Sequence, residues 1–356
     1  MKLPYITMLA TLLLTGPAAA QLQIAPPATI PSAAPEKQKP KPHTITKKKE
    51  AAPAPKPSAS PKPTPTPAAT VIPAPPTDNS NADLVFGAYQ RGQYKTAFDL
   101  ATVRAQAGDP KAMTMLGELY SNAMGIRRDY AKAAEWYKRA ADAGDREAMF
   151  ALAMLRISGR GGSVDKSEAV KLMASAAKLG EPKAAYNLAL LYLDGQTLPQ
   201  DVRRSAELLR QAADAGLPEA QYALATFYKE GTGVPKDPER AVRLLQAASL
   251  ADNVDAEVEY AIAMFNGTGT PKNQPAAVAL LRKASRQGSA IAQNRLAWVL
   301  INGVGVAMDK VEGFKWHLVA KTAGKGDPEL DKQLSDLPAE DRAKAEAAAR
   351  KWLGTK

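Results

Sequence analysis

The sequence predicts an all-α protein: a right-handed α/α superhelical solenoid of helix-turn-helix repeats, preceded by a signal peptide and a disordered proline-rich linker. Three observations predict it. A period of 36 residues recurs six times, apolar residues keep helical spacing within each period, and most prolines fall in one stretch. Positions 22–81 hold 16 of the 28 prolines. Such a stretch cannot bury enough apolar surface to offset its ordering entropy, which leaves about 275 residues to fold.

The first 20 residues have the pattern of a cleavable secretory signal peptide. Lys2 precedes an apolar run at 6–15, and a helix-breaking Gly16-Pro17 pair is followed by three alanines at 18–20, the small residues that signal peptidase requires. The run is too short to span a bilayer. We therefore expect a bacterial periplasmic or secreted protein with no integral membrane segment after cleavage. The alternative, an uncleaved N-terminal anchor, stays open.

Residues 21–81 are predicted to form a disordered linker rich in Pro, Lys and Ala. It contains eight lysines and three acidic residues, and proline runs such as 61–67 favour polyproline II conformation, at about 3.1 Å per residue. One interpretation is a spacer that contacts peptidoglycan. The other is a passive leader, and the sequence does not choose between them.

Composition excludes several classes of function. The chain has no cysteine, which excludes a disulfide framework, thiolate zinc sites and thiol catalysis. With only His43 and His317, histidine-dependent triads and multi-histidine metal sites are not expected, so we predict no catalytic residue, no cofactor and no metal. Six units of the net charge of +11 precede residue 82. No nucleic-acid-reading motif accompanies this charge, and we expect no nucleic-acid partner.

The folded part is organised by columns of equivalent residues that recur every 36 positions without insertion. Three of these columns are Gly159, Gly195, Gly231, Gly267 and Gly303; Ala112, Ala148, Ala184, Ala220, Ala256 and Ala292; and Asp129, Asp165, Asp201, Asp237, Asn273 and Asp309. Six units over 111–326 share this spacing. A single unit cannot bury its apolar face alone, so the units must stack into a continuous core.

Each column has a physical role within its unit, as the unit at 219–254 illustrates. Apolar residues around Leu224 keep helical spacing and predict an amphipathic first helix. Gly231 and Gly233 permit the positive φ that ends this helix and turns the chain. Asp237 is placed to cap the second helix, with Pro238 at its first position, where a missing N–H costs nothing.

This pattern closely resembles the Sel-one-like repeat (SLR) family, which is related to tetratricopeptide repeats. The resemblance rests on Ala112-x-x-x-Leu116-Gly117-x-Leu119-Tyr120, the Gly-x-Gly turn, the Asp before the second helix, and Ala133-x-x-Trp136-x-x-x-Ala140-Ala141-x-x-Gly144. Ala123, Thr197 and Asn273 depart from the pattern and suggest altered turns within the same fold. Residues 82–110 resemble a tetratricopeptide-like hairpin, and 327–356 are predicted to form capping helices.

In the related repeats, first-helix residues line the concave surface, so the resemblance implies partner-binding positions in two columns. These columns lie two residues before and two after the repeat leucine, and residues four apart share one helix face. The candidate partner-binding residues are Phe150, Met154, Tyr186, Leu190, Tyr222, Thr226, Ile262 and Trp298. They form either a groove for an extended peptide or partner helix, or packing between repeats, and both interpretations stay open.

No catalytic motif is complete. Ser163-x-x-Lys166 and Ser175-x-x-Lys178 fit the Ser-x-x-Lys pattern of serine β-lactamases, but the accompanying Ser-Asp-Asn and Lys-Thr-Gly elements are missing. His317 has no metal ligand at matching spacing and is interpreted as a surface or interface residue.

Acidic residues do not form a catalytic pair either. Glu257 and Glu259 lie two apart on a predicted helix and are interpreted as a solvated face.

We therefore expect a non-enzymatic scaffold that binds a protein partner of unknown identity through its superhelix. The resemblance implies roles in envelope assembly, in regulation of membrane sensor kinases or in polysaccharide export. A cell-wall-associated module tethered by the Lys/Pro linker is the alternative, and a β-lactam-hydrolysing enzyme is a third hypothesis.

Overall fold

The computed structural model describes residues 79–354, with side chains from 84 onward. The predicted signal peptide and the predicted linker up to residue 78 lie outside this range, whereas residues 79–81 belong to the first helix. The helices α1 to α16 span, in order, Asn79–Gln90, Tyr94–Gln106, Pro110–Asn122, Tyr130–Asp142, Arg146–Ser158, Lys166–Lys178, Pro182–Asp194, Val202–Asp214, Pro218–Glu230, Pro238–Leu250, Val254–Asn266, Gln274–Arg286, Ala290–Asn302, Lys310–Thr322, Pro328–Ser335 and Ala339–Gly354. No strand occurs among these residues, so the predicted all-α class is confirmed.

Helices α3 to α14 form six hairpins that follow the 36-residue period. We call the first helix of each hairpin the A helix (α3, α5, α7, α9, α11 and α13) and the second the B helix (α4, α6, α8, α10, α12 and α14). Every one of these helices packs against its predecessor and its successor along the chain. The short turns make neighbours antiparallel, so the hairpins stack in sequence order as the predicted solenoid requires.

The turns and caps form as the columns indicate, including where the sequence departs from the pattern. Asp237 caps α10 by accepting a hydrogen bond from the backbone N–H of Arg240 at 2.9 Å. Asn273 caps α12 in the same way through the N–H of Ala276. Ala123 ends α3 with a left-handed φ of 57°, the conformation that glycine supplies in the equivalent turns, so the substitution strains the turn without changing it.

The core between helices is built from columns of small residues. Two of them are nearly inaccessible to solvent, at most 3% exposed: Ala112, Ala148, Ala184, Ala220, Ala256 and Ala292 on the A helices, and Ala140, Ala176, Ala212, Ala248, Ala284 and Ala320 on the B helices. A Cβ added at Gly117 would lie 2.5 Å from a ring carbon of Tyr137. Small side chains therefore let the helix backbones approach closely.

The C-terminal helices cover the last hairpin. Helix α16 packs against α14, and the Trp352 ring meets the Trp316 ring edge-on with 5.0 Å between centroids. The Lys315 ammonium lies 4.4 Å from the Trp316 ring centroid and 5.5 Å from that of Trp352. This aromatic contact attaches the terminal helix to the end of the solenoid.

The fifth hairpin contains a buried charge, and the prediction that Glu257 belongs to a solvated face is wrong. Its side chain is fully buried, and Oε1 pairs with the Nζ of Lys283 on α12. The same Nζ contacts Asp252 at 2.9 Å. Residues two apart on a helix point in nearly opposite directions, so Glu257 faces the B helices while Glu259 stays half-buried on the other face.

Equivalent positions in the neighbouring hairpins hold glutamine. Gln221 Nε2 donates to the carbonyl of Ala213, and Gln293 Nε2 donates to the carbonyl of Ser285, each eight residues earlier. The equivalent carbonyl for Glu257 is that of Ser249, to which a carboxylate cannot donate. Within the described part of the chain, Glu257 Oε2 has no hydrogen-bond partner. The fifth hairpin thus replaces a neutral hydrogen bond with an ion pair.

We predict that Glu257→Gln changes the free energy of unfolding by less than about 1 kcal/mol. The new amide can donate a hydrogen bond to the Ser249 carbonyl, and Lys283 retains its ion pair with Asp252. Glu257→Ala should lower it by about 2 kcal/mol through the cavity it leaves. Urea unfolding followed by circular dichroism measures both. Equal losses for the two variants would show instead that the ion pair itself stabilises the hairpin.

Candidate functional site

Seven of the eight predicted partner-binding residues share a partly exposed face of five successive A helices. We call this set the A-face strip: Phe150 and Met154 on α5, Tyr186 on α7, Tyr222 and Thr226 on α9, Ile262 on α11 and Trp298 on α13. The eighth, Leu190, is only 8% exposed and belongs to the core of α7. The apolar members also pack against core clusters, so one side of each is buried and the other reaches solvent.

Side chains connect neighbouring A helices along this face. Lys229 Nζ on α9 lies 2.8 Å from a carboxylate oxygen of Glu259 on α11. At the N-terminal end, the Tyr89 hydroxyl on α1 donates to Glu118 on α3 at 2.6 Å. Side chains of α9 and α11 are therefore within reach of each other along this face.

A cleft of about 380 Å³ lies at the N-terminal end of this face. Its lining includes Thr114 and Glu118, which occupy the two strip columns in the first hairpin, together with Val85, Phe86 and Met115. Phe86 is half exposed. The cleft therefore joins this face to α1, and its lining also contains charged residues: Arg104, Asp109, Lys111 and Glu147.

Carboxylates surround the tyrosine at the middle of the strip. Burial raises the pKa of Tyr222, and the carboxylates of Glu259, Asp255 and Glu230 raise it further. Burial and the neighbouring Glu259 also raise the pKa of Asp255. One of these carboxylates, Glu259, is paired with Lys229.

Tyr186, one hairpin before Tyr222, also has a carboxylate neighbour on the next A helix. Burial raises the pKa of Tyr186, and Glu219 on the next A helix adds to the shift. On α13 the guanidinium of Arg295 is partly buried, which lowers its pKa against the opposing effects of Asp327 and Glu259. The carboxylates that raise the pKa values of the two tyrosines therefore lie on α9 and α11, and the cation Arg295 lies on α13.

Sequence reasoning missed these acidic residues, because the repeat columns contain no consistent signal for them. Glu219 and Asp255 are equivalent positions, three residues before Tyr222 and before the buried Val258. The same column holds Lys183 three residues before Tyr186, so it does not predict a carboxylate beside each tyrosine.

A separate cleft of about 360 Å³ lies between α8, α9 and α10 and is basic. It is lined by Arg210, Arg240 and Arg243 around the buried Tyr228. The Tyr228 hydroxyl accepts hydrogen bonds from Arg210 and Arg240 at 3.3 and 3.4 Å. Burial acts to raise the pKa of Tyr228, but these two hydrogen bonds and the positive charges of both arginines together outweigh it, and the pKa is lowered.

The family to which the chain belongs follows from the repeats. The family model described as Sel1 repeat matches residues 110–145, 146–181, 182–217, 218–253, 254–289 and 290–325, which is more than half of the chain. The chain belongs to the Sel1 repeat family. Sel1 and tetratricopeptide-like folds typically serve as scaffolds for protein–protein interaction.

Solved structures share the fold of this Sel1 repeat protein. The Sel1 repeat protein from Oxalobacter formigenes is 25% identical with a TM-score of 0.58, covering 67% of this chain and 96% of its own. The SLR-fold protein c5321, a protective antigen present in uropathogenic Escherichia coli strains, is 23% identical with a TM-score of 0.52, covering 78% of this chain and 68% of its own. No curated protein sequence matches the chain.

His317 is interpreted from the sequence as a surface or interface residue of this Sel1 repeat protein, and the surface interpretation is wrong. Its ring is fully buried, with Nε2 2.8 Å from Oδ1 of Asp331 on α15. Lys321 Nζ contacts the same oxygen at 2.8 Å. The repeat pattern did not reveal this because the covering helix lies beyond the repeats. His317 therefore joins α14 to a capping helix.

The other candidate motifs do not assemble a reactive site. Ser163 lies in the turn before α6 and Lys166 begins that helix, while Ser175 and Lys178 lie on its exposed face. Between residues 84 and 354, no cluster of three His, Asp or Glu side chains has the arrangement of a metal site. No helix in the range 79–354 has the length and apolarity needed to cross a membrane.

We predict that Asp331→Asn lowers the melting temperature at pH 7 and that this loss is smaller at pH 3. Hydrogen bonds from Lys321 and His317 hold the pKa of Asp331 below its usual range. Its contribution to stability is therefore present above the ordinary carboxyl pKa of about 4 and is lost as the pH falls through the lowered value. Circular dichroism melts from pH 3 to 7 measure the difference.

Asp336→Asn is the matched control for this experiment, because Asp336 is an exposed carboxylate at the end of the same helix. It should leave the melting temperature unchanged at either pH. A loss for Asp331→Asn that is equally large at pH 3 would contradict the assigned role.

Proposed function

We propose that this Sel1 repeat protein is a non-enzymatic scaffold that binds a partner protein through the A-face strip. The single observation that carries the proposal is the run of partly exposed, mostly apolar side chains across five successive A helices. Aromatic anchors in such a run supply most of the binding energy of protein interfaces. Stacked hairpins also present long concave surfaces to their partners.

The two interpretations of the strip columns apply to different members. Leu190 and Val258 are buried at 8% and 3% exposure and serve inter-repeat packing. Tyr186, Tyr222 and Trp298 keep part of their surface in solvent. The latter three side chains are the ones we assign to partner binding.

We further propose that the protein acts in the bacterial periplasm or after secretion. The supporting observation is the signal-like pattern of residues 1–20, with its short apolar run and small residues before Gln21. A chain without cysteine also needs no disulfide chemistry in an oxidising compartment. By family resemblance, the processes served are envelope assembly, sensor regulation or polysaccharide export.

No observation in the described range favours the other two hypotheses. The tethered cell-wall module rests on linker residues alone. The β-lactam hypothesis rests on two Ser-x-x-Lys patterns whose serines and lysines are exposed. Incubating the purified chain with a chromogenic β-lactam tests the latter directly.

We predict that replacing Tyr186, Tyr222 and Trp298 together by alanine reduces capture of the native partner at least tenfold while preserving helicity. The three side chains supply the exposed aromatic surface, and truncation of such anchors typically costs more than a tenfold loss in affinity. The measurement is affinity capture from periplasmic extract of the source bacterium with quantitative mass spectrometry. Circular dichroism at 222 nm reports folding.

The matched control replaces Tyr130, Trp136 and Tyr192, which are partly exposed aromatics outside the strip. This variant should capture the partner as the unmodified chain does. If the strip variant loses its helical signal, the three side chains are core and the proposal fails. If both variants capture equally well, binding does not use the strip.

A further inference from the structure

The basic cleft between α8, α9 and α10 has no part in the proposed scaffold function. Its volume of about 360 Å³ falls within the range of small-molecule sites, about 300–1,000 Å³. We infer that this cleft binds a small organic phosphate monoester through its guanidinium groups and the buried hydroxyl of Tyr228. The inference goes beyond the proposed function and does not depend on it, because no residue that lines the cleft belongs to the A-face strip.

Tyr228 places one hydroxyl at the point where two guanidinium groups converge. The residue is only 5% exposed and forms part of the cleft wall. Its oxygen accepts hydrogen bonds from Arg210 on α8 at 3.3 Å and from Arg240 on α10 at 3.4 Å. The hydroxyl also has a proton to donate, and between residues 84 and 354 no hydrogen bond joins that proton to an acceptor. Buried donors are normally paired, and an oxyanion in the cleft would supply the acceptor.

Two of the three guanidinium groups in the cleft have no carboxylate partner. Arg240 pairs with Asp237 on its own helix at 3.1 Å. In contrast, no salt bridge among residues 84–354 joins Arg210 or Arg243 to an acidic side chain, although Asp214 also lines the cleft. A phosphate monoester carries a charge of about −1.5 to −2 at pH 7. Its charge therefore matches the two guanidinium groups that the protein leaves unpaired.

The preceding hairpin shows that the repeat fold does not require these arginines. Arg204 is the equivalent of Arg240, and it is neutralised by Glu207 at 2.8 Å. In the fourth hairpin the position of that glutamate is occupied by Arg243, which adds a like charge one helical turn from Arg240 and is destabilising by itself. Among the six hairpins, only the fourth has basic residues at all three positions that line the cleft. A bound anion would offset this repulsion, so a ligand explains the arginines better than the fold does.

The donors in the cleft favour a phosphate group attached to a larger molecule. A phosphate monoester presents three acceptor oxygens, and the planar fork of a guanidinium group binds such oxygens in pairs. The Tyr228 hydroxyl can donate to a further lone pair. Leu244 on α10 is partly exposed and lines the same cleft, so an apolar part of the ligand has a surface to contact. One water molecule occupies about 30 Å³ in the liquid, and the cleft therefore has room for both parts.

The test is isothermal titration calorimetry of the full chain with phenyl phosphate, a phosphate monoester that carries an apolar ring. We expect a dissociation constant below about 1 mM, and at least threefold weaker binding of both inorganic phosphate and benzoate. Absence of binding at about 5 mM phenyl phosphate would overturn the inference. Benzoate that binds as tightly would overturn the assignment to a phosphate group. Inorganic phosphate that binds as tightly would overturn the assignment to an organic ligand.

Variants of the arginines locate the binding. Arg210→Gln with Arg243→Gln should raise the dissociation constant of phenyl phosphate at least tenfold. The control pair Arg203→Gln with Arg286→Gln removes the same charge from exposed positions that do not line the cleft, and it should stay within twofold. Equal effects of the two pairs would show attraction to net charge alone and overturn the inference.

Two further variants test the hydroxyl and the carboxylate of the cleft. Tyr228→Phe should raise the dissociation constant at least threefold while the circular dichroism at 222 nm is unchanged. Asp214→Asn should lower the dissociation constant at least twofold, because it removes a negative charge that opposes the ligand. Asp214 is exposed, so its variant remains informative if Tyr228→Phe unfolds. An affinity that Asp214→Asn leaves unchanged would place the ligand outside the cleft and overturn the inference.

Discussion

Close approach of helix backbones through columns of alanine is the constraint on which the rest of the structure depends. The alanines from Ala140 to Ala320 on successive B helices have no exposed surface, and at Gly117 even one added carbon would overlap the Tyr137 ring. Interiors packed this tightly tolerate little change in volume. Each hairpin is therefore held in one register against its neighbours.

Repetition connects the packing to the surface of the solenoid. Each A helix buries its alanine column and, where present, its repeat leucine, while the strip positions keep one side in solvent. Repetition at 36-residue intervals then aligns Phe150, Tyr186 and Tyr222 on consecutive helices. A row of partly exposed aromatic side chains thus arises from stacking alone, without any loop or insertion to build it.

Most of the fold was accessible from the sequence because its determinants are local and repeated. The capping column from Asp129 to Asp309 and the turn glycines each act within a few residues of their own position. Glu257 and His317 were misjudged because their environments depend on contacts that the column pattern does not contain. Glu257 meets Lys283, a residue specific to one hairpin, and His317 is covered by α15, which lies outside the repeats. Leu190 shares a column with exposed residues, and only the packing of α7 shows that it is buried.

Hydroxyl-radical footprinting of the intact chain, read by mass spectrometry, tests most directly whether stacking leaves the strip open to a ligand. The account predicts ready oxidation of Tyr186, Tyr222 and Trp298, and strong protection of Tyr137, Tyr228 and Trp316, which are at most 6% exposed. Protection of the first three residues equal to that of the last three would contradict it, because the strip would then be part of the core.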